Sequence, residues 1–134
     1  MIPVNLTAVF VAALASMAVG FAWYSNTVFG KRWTKLTGLG GGKMGGSEMV
    51  RTFGLTFIGA LVMAYMLSIF IHYAGAQTLI LGAKTGLWVW IGFLVPMTLT
   101  NALFSKKSME LYAVEAGSHL ASLLVAGAII GSWV

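Results

Sequence analysis

Residues 4–24 read VNLTAVFVAALASMAVGFAWY, a run without one charged side chain. A helix rises about 1.5 Å per residue, so about 20 apolar residues cross the ~30 Å hydrocarbon core of a bilayer. This run meets that length, and three more follow it at about residues 52–73, 85–104 and 109–133. The chain therefore reads as an all-α integral membrane protein with four transmembrane helices in a compact bundle.

Composition agrees. Charged residues make up 8% of the 134-residue chain, hydrophobic residues 59%, and the mean hydropathy is +0.91. Soluble domains carry roughly 25% charged residues, and so little charge cannot cover a water-facing surface. Once the apolar runs are counted, almost nothing remains for a separate soluble unit, so residues 1–134 are expected to form a single membrane domain. The lipid bilayer is the expected partner. The net charge of +5 does not point to nucleic acid, because the basic residues sit between apolar runs and form no stripe on a polar surface.

The first run lacks a basic segment before it and is followed by Lys31, Arg32 and Lys35, so it reads as a retained helix and not a signal peptide. Those three, with Lys43 and Arg51, fall in or beside the first loop, and Lys106 and Lys107 in the third. The second loop holds only Lys84. The positive-inside rule then puts loops one and three in the cytoplasm and both termini outside, in an inner (cytoplasmic) membrane. Trp23, Tyr24 and Trp33 would flank the inner interface, and His72, Tyr73, Trp88 and Trp133 the outer one.

Residues 34–50 are expected to be a flexible glycine-rich loop. Its stretch 38–46, GLGGGKMGG, fails as a phosphate-binding G-x-x-x-x-G-K-[ST] motif, with Thr37 in place of the first glycine and Met44 after Lys43. Other chemistries lack their residues too. Cysteine and Asp are absent and there is no G-x-S-x-G, which removes thiol chemistry, Asp-rich lipid phosphotransferase motifs and the Ser-His-Asp triad. Two His and three Glu are too few for a metal centre in one chain, and the eight Met are scattered as packing residues. No cofactor is expected.

Ser25 to Arg32 (SNTVFGKR) is similar to Thr100 to Lys107 (TNALFSKK), each at the end of an odd-numbered span. A duplicated helix pair and a generic aromatic-then-basic helix end both account for this.

The first and last spans also carry Asn5, then Gly20-x-x-Trp23-Tyr24-Ser25, Phe29-Gly30-Lys31-x-Trp33, Gly117-x-His119 and Gly131-x-Trp133. In these residues the chain resembles the small bacterial membrane proteins grouped as the domain of unknown function numbered seventeen sixty-one. Asn26 stands where many relatives are expected to carry proline. The resemblance covers the whole chain and implies a four-helix membrane domain; it implies no activity and no catalytic residues.

Candidate working residues must then come from physics. In lipid, small residues mark helix interfaces because they let backbones approach. Ala8, Ala12, Ser16 and Gly20 repeat every four residues in the first span, Gly127 and Gly131 form G-x-x-x-G in the fourth, and Gly54 and Gly59 thin the second. A homo-oligomer is expected, with a dimer favoured by the prevalence of two-fold assemblies.

In the fourth span Glu115 and His119, four residues apart, share a face with Ser108, Tyr112, Ser118 and Ser122 over an arc of roughly 100°. An intramembrane carboxylate costs about 2.5–3.5 kcal/mol on insertion scales and normally faces protein or water. Pro96 should kink the third span by freeing the carbonyl of Gly92, and Asn101 or Thr98 could donate to Glu115, which would in turn orient His119. Two functions compete on this stripe: transport of a proton, ion or small solute, and a non-catalytic scaffold or accessory role in which the stripe packs helices. A membrane enzyme is the weaker third reading.

Overall fold

A computed structural model describes residues 4–25, 28–37 and 46–133, the side chains of Thr37 and Met49 apart. The expected flexible loop at 38–45, the phosphate-motif test on Lys43 and Met44, and Asn26 lie outside the described residues. The chain forms α1 (Leu6–Trp23), α2 (Gly30–Thr37), α3 (Gly46–Ala74), α4 (Leu79–Val89), a π turn (Trp90–Leu94), α5 (Val95–Phe104) and α6 (Met109–Ser132). Four helical stretches are long and apolar enough to cross a membrane: α1, α3, α4 through α5, and α6.

Two boundaries differ from expectation. Residues 34–37 close the short helix α2, and residues 46–51 open α3, so the linker is shorter than 34–50. The third span starts at Leu79 instead of residue 85, because Lys84 does not bound it; the side chain is exposed and its long stem can reach the interface from within a helix. The two similar stretches also fold differently. Thr100 to Phe104 is helical, whereas Val28 and Phe29 lie in a turn and Gly30 to Arg32 already belong to α2.

One end of the bundle, the terminal end, carries the start of α1, the close of α6 and the 75–78 turn; the other carries α2 and the 105–108 turn and is called the basic end. Near the terminal end α4 and α6 meet backbone to backbone. A Cβ on Gly82 would collide with the carbonyl of Gly127 and lie 2.9 Å from the Cα of Gly131; one on Gly127 would meet the carbonyl of Gly82, and one on Gly131 that of Thr78. Gly86 abuts the carbonyl of Leu123 in the same way. Gly127 and Gly131 thus pack within the chain, against a second G-x-x-x-G. Ala8, Ala12 and Ser16 are buried in α1, while a Cβ on Gly20 would meet nothing within 4 Å.

Around these contacts sits the core of Val9, Ala12, Ala64, Leu67, Leu123 and Ala126 with their neighbours. The ends are tied by one amide: Asn5 caps α1 by accepting from the Ala8 N–H (3.1 Å) and donates to the carbonyl of Trp133 (2.9 Å).

The third span breaks from α geometry just before Pro96, as the missing N–H requires. The break is a π turn, with the Val95 N–H bonding to the carbonyl of Trp90 and Gly92 inside it. Hydroxyls meet the neighbouring carbonyls: Thr98 donates to Leu94 (2.6 Å), Tyr112 to Val95 (3.1 Å) and Thr100 to Pro96 (2.9 Å).

Glycine therefore acts oppositely in two places. Gly82→Ala should lower stability by more than about 1 kcal/mol through backbone collision, whereas Gly59→Ala, with nothing within 4 Å, should raise it by about 0.5–1 kcal/mol through helix propensity. Denaturant titration of the two variants in mixed micelles checks the opposite signs.

Candidate functional site

Helix α6 begins at Ser108, whose hydroxyl accepts from the Leu111 N–H (3.1 Å). The turn before it is tight. Lys107 N–H bonds to the carbonyl of Ala102 and Lys106 N–H to that of Leu103, with Lys106 in the left-handed region at φ 58°. Closing α5 this way brings the Lys107 ammonium to the Glu115 carboxylate, 3.0 Å away. Their side chains are 34% and 29% exposed, so the pair is partly withdrawn from its surroundings.

This corrects the expected partners of Glu115. Thr98 is occupied by Leu94 and by a 3.1 Å contact with the Tyr112 hydroxyl, and Asn101, exposed on α5, is within 3.5 Å of the Ser105 hydroxyl. Each hydroxyl of the Thr98–Tyr112 pair has one proton, so both donating to carbonyls leaves none for the contact between them. The Glu115 carboxylate accepts from Lys107 instead.

The polar stripe divides among neighbours. Ser122 donates to the carbonyl of Ser16 on α1 (3.4 Å), Tyr112 faces α5, and Ser118 is buried beside Tyr24. Glu115 and His119 remain together on one face, within electrostatic range of each other but without a hydrogen bond between them. That face is unequally covered. His119 precedes Ala126 and Ile130 by seven and eleven residues, close to two and three turns at about 3.6 residues per turn, so all three point the same way. Ala126 and Ile130 pack into the core with Ala64, Leu67 and Ile71 of α3. At the basic half α3 instead keeps to α1, with Phe53 on Phe21 and Phe57 on Phe10, and none of its described side chains from 46 to 60 is buried. Glu115 is left half-covered and His119 exposed.

Two indoles, Trp23 in a role that its place in the sequence does not reveal and Trp90, hold α6 in place. Trp23 donates to the carbonyl of Val114 and Trp90 to that of Ala116, each at 2.9 Å. Gly117 makes room for the first: a Cβ there would lie 2.7 Å from the Trp23 ring. Trp23 packs between the ends of α1 and α6, and Tyr24 lies edge-on against Trp33 at 5.8 Å. Hydropathy and spacing around Trp23 give no signal for this; the glycine facing it, in Gly117-x-His119, is the visible mark.

Four of the residues that carry the family resemblance are thus joined in pairs: Asn5 with Trp133, and Trp23 with Gly117. A family model confirms the likeness over residues 7–131. The chain belongs to the family described as protein of unknown function DUF1761. No curated protein and no solved structure matches it. Among the described residues no three of His, Asp and Glu converge as metal ligands would.

The Lys107–Glu115 pair predicts non-additive energetics. Lys107→Met and Glu115→Gln should each destabilise the fold, and the double variant should recover a coupling of about 0.5–3 kcal/mol relative to the sum. A double-mutant cycle in mixed micelles measures it; additive effects would mean the pair contributes nothing.

Proposed function

We propose that this DUF1761 chain is a non-catalytic membrane scaffold or accessory subunit that binds another transmembrane helix on the open basic half of α6. The observation that carries this reading is the half-covered face with Glu115 and His119, beside which α3 turns to α1. A polar side chain left on a lipid-facing surface is costly, and a neighbouring helix that offers a hydrogen bond removes the cost. The first occupant to consider is a second copy of the chain, since two-fold assemblies are the commonest and would bring two such faces together.

The transport reading has one point in its favour, the grouping of Tyr24, Lys107, Glu115, Ser118 and His119 at one end. Against it, α4 and α6 meet backbone to backbone at Gly82, Gly86, Gly127 and Gly131 in the terminal half, which leaves no path between those two helices.

The natural chain has no cysteine, so single substitutions report cleanly. In native membranes His119→Cys should form a disulfide-linked dimer on mild oxidation, whereas Trp88→Cys, exposed near the terminal end, should not. Proteoliposomes should show no flux that depends on Glu115. A saturable flux lost in a folded Glu115→Gln variant would replace the scaffold with a carrier.

For orientation we propose a bacterial inner membrane with both termini outside and the basic end cytoplasmic. The support is the gathering of Lys31, Arg32, Lys35, Arg51, Lys106 and Lys107 at that end. In intact cells a membrane-impermeant maleimide should label Gln77→Cys at once and Ser105→Cys only after permeabilisation; the reverse pattern would invert the topology.

A further inference from the structure

Helix α2 is amphipathic, and its cations are confined to one side. Lys31, Arg32 and Lys35 fall within an arc of roughly 100°, at about 100° per residue, and all three are exposed. Between α2, the end of α1 and the first two turns of α6 runs an open groove of ≈ 500 Å³. Its walls are Trp23, Phe29, Ala113, Val114 and Gly117, and its rim is the ion pair of Arg32 with Glu110. From Glu110 to Gly117 the groove follows α6 for about 10 Å, at about 1.5 Å per residue, into the depth occupied by acyl chains.

Rim and walls ask for different chemistry in one molecule. The walls are apolar, with Trp23 and Phe29 in contact at 4.7 Å between ring centroids, and Trp23 spends its only N–H on Val114. The rim is cationic in excess. Arg32 is 62% exposed, and its guanidinium has five N–H donors, of which one carboxylate can engage two. Lys31 and Lys35 add two ammonium groups on the same side of α2. Six cations, Lys31, Arg32, Lys35, Arg51, Lys106 and Lys107, stand at this end against the chain's three acids, Glu48, Glu110 and Glu115.

We propose that the groove between α2 and α6 is a binding site for an anionic phospholipid, with its phosphate at Arg32 and Lys31 and one acyl chain along Trp23, Val114 and Gly117. A groove that opens sideways in a bilayer is filled by a lipid tail whatever the headgroup. The basic rim then selects the anionic headgroup, each cation near the surface strengthening it about fivefold. Glu110 orients Arg32 across the mouth of the groove and leaves its remaining donors toward the lipid.

The test uses the full chain purified from bilayers containing equal phosphatidylglycerol and phosphatidylcholine with identical acyl chains. Lipid retained per chain is read by native mass spectrometry. The wild type should retain one phosphatidylglycerol in at least about tenfold preference, and Lys31→Gln and Arg32→Gln should each reduce that preference about fivefold. Ala113→Trp, on the exposed wall, should empty the groove of both lipids; Ala113→Leu serves where the larger residue prevents folding. Equal retention of the two lipids, or undiminished retention in the folded Ala113 variant, overturns the proposal. So does loss of the preference on adding excess inorganic phosphate, which would make the rim a site for a soluble anion.

Discussion

The contact between Gly82 and Gly127 sets the distance between α4 and α6, and the other helices are arranged around that distance. In water such a contact would sacrifice buried apolar area. In lipid the helices gain little from hiding apolar side chains, and close backbone approach supplies the packing instead. Because Gly82 and Gly86 are one turn apart, as are Gly127 and Gly131, the approach is repeated and fixes the register of α4 on α6. That register carries Trp90 to the carbonyl of Ala116 and, further along, Tyr112 to the carbonyl of Val95 beside the π turn. The break forced by Pro96 is therefore held by α6 on one side.

On its other side α6 is held by α1, and the two fastenings are of a kind. The indole of Trp23 reaches the carbonyl of Val114, and the amide of Asn5 reaches that of Trp133. The Val114 carbonyl, within the helix, has a second lone pair to offer, and the Trp133 carbonyl lies past the last turn, so neither bond asks α6 to unwind. Four of the residues by which the chain resembles its family, Asn5, Trp23, Gly117 and Trp133, meet in these contacts between α1 and the α6 end of the chain.

The four spans were legible because length and hydropathy report them directly. The partner of Gly127 and Gly131 was not, although Gly82 and Gly86 repeat the same spacing. Lys84 between them looked like the edge of the membrane, and a lysine whose ammonium reaches outward leaves its Cα free to lie well inside a helix. Glu115 and His119 were visible as polar residues on one face. Their surroundings depend on α3, which covers that face at Ala126 and abandons it at His119 for α1. No local pattern in α3 announces this. The Lys107–Glu115 pair was hidden for another reason: the lysine precedes the helix, and only the reversal at Lys106 folds its side chain back along α6.

That reversal explains how an acid is tolerated at this depth. Glu115 lies about 9 Å beyond Met109, at about 1.5 Å per residue, where an unpaired carboxylate would be expensive. Lys106 accepts a left-handed conformation, which costs an L-residue roughly 1–2 kcal/mol, and in doing so closes α5 and delivers the next lysine to the carboxylate. The strain and the charge are thus solved together in three residues. What the arrangement leaves over is the imidazole of His119, one turn further in, exposed on the face that α3 does not cover. With the carboxylate paired inside the chain, the imidazole of His119 is the group left exposed on that face, which is the ground for the helix contact proposed above.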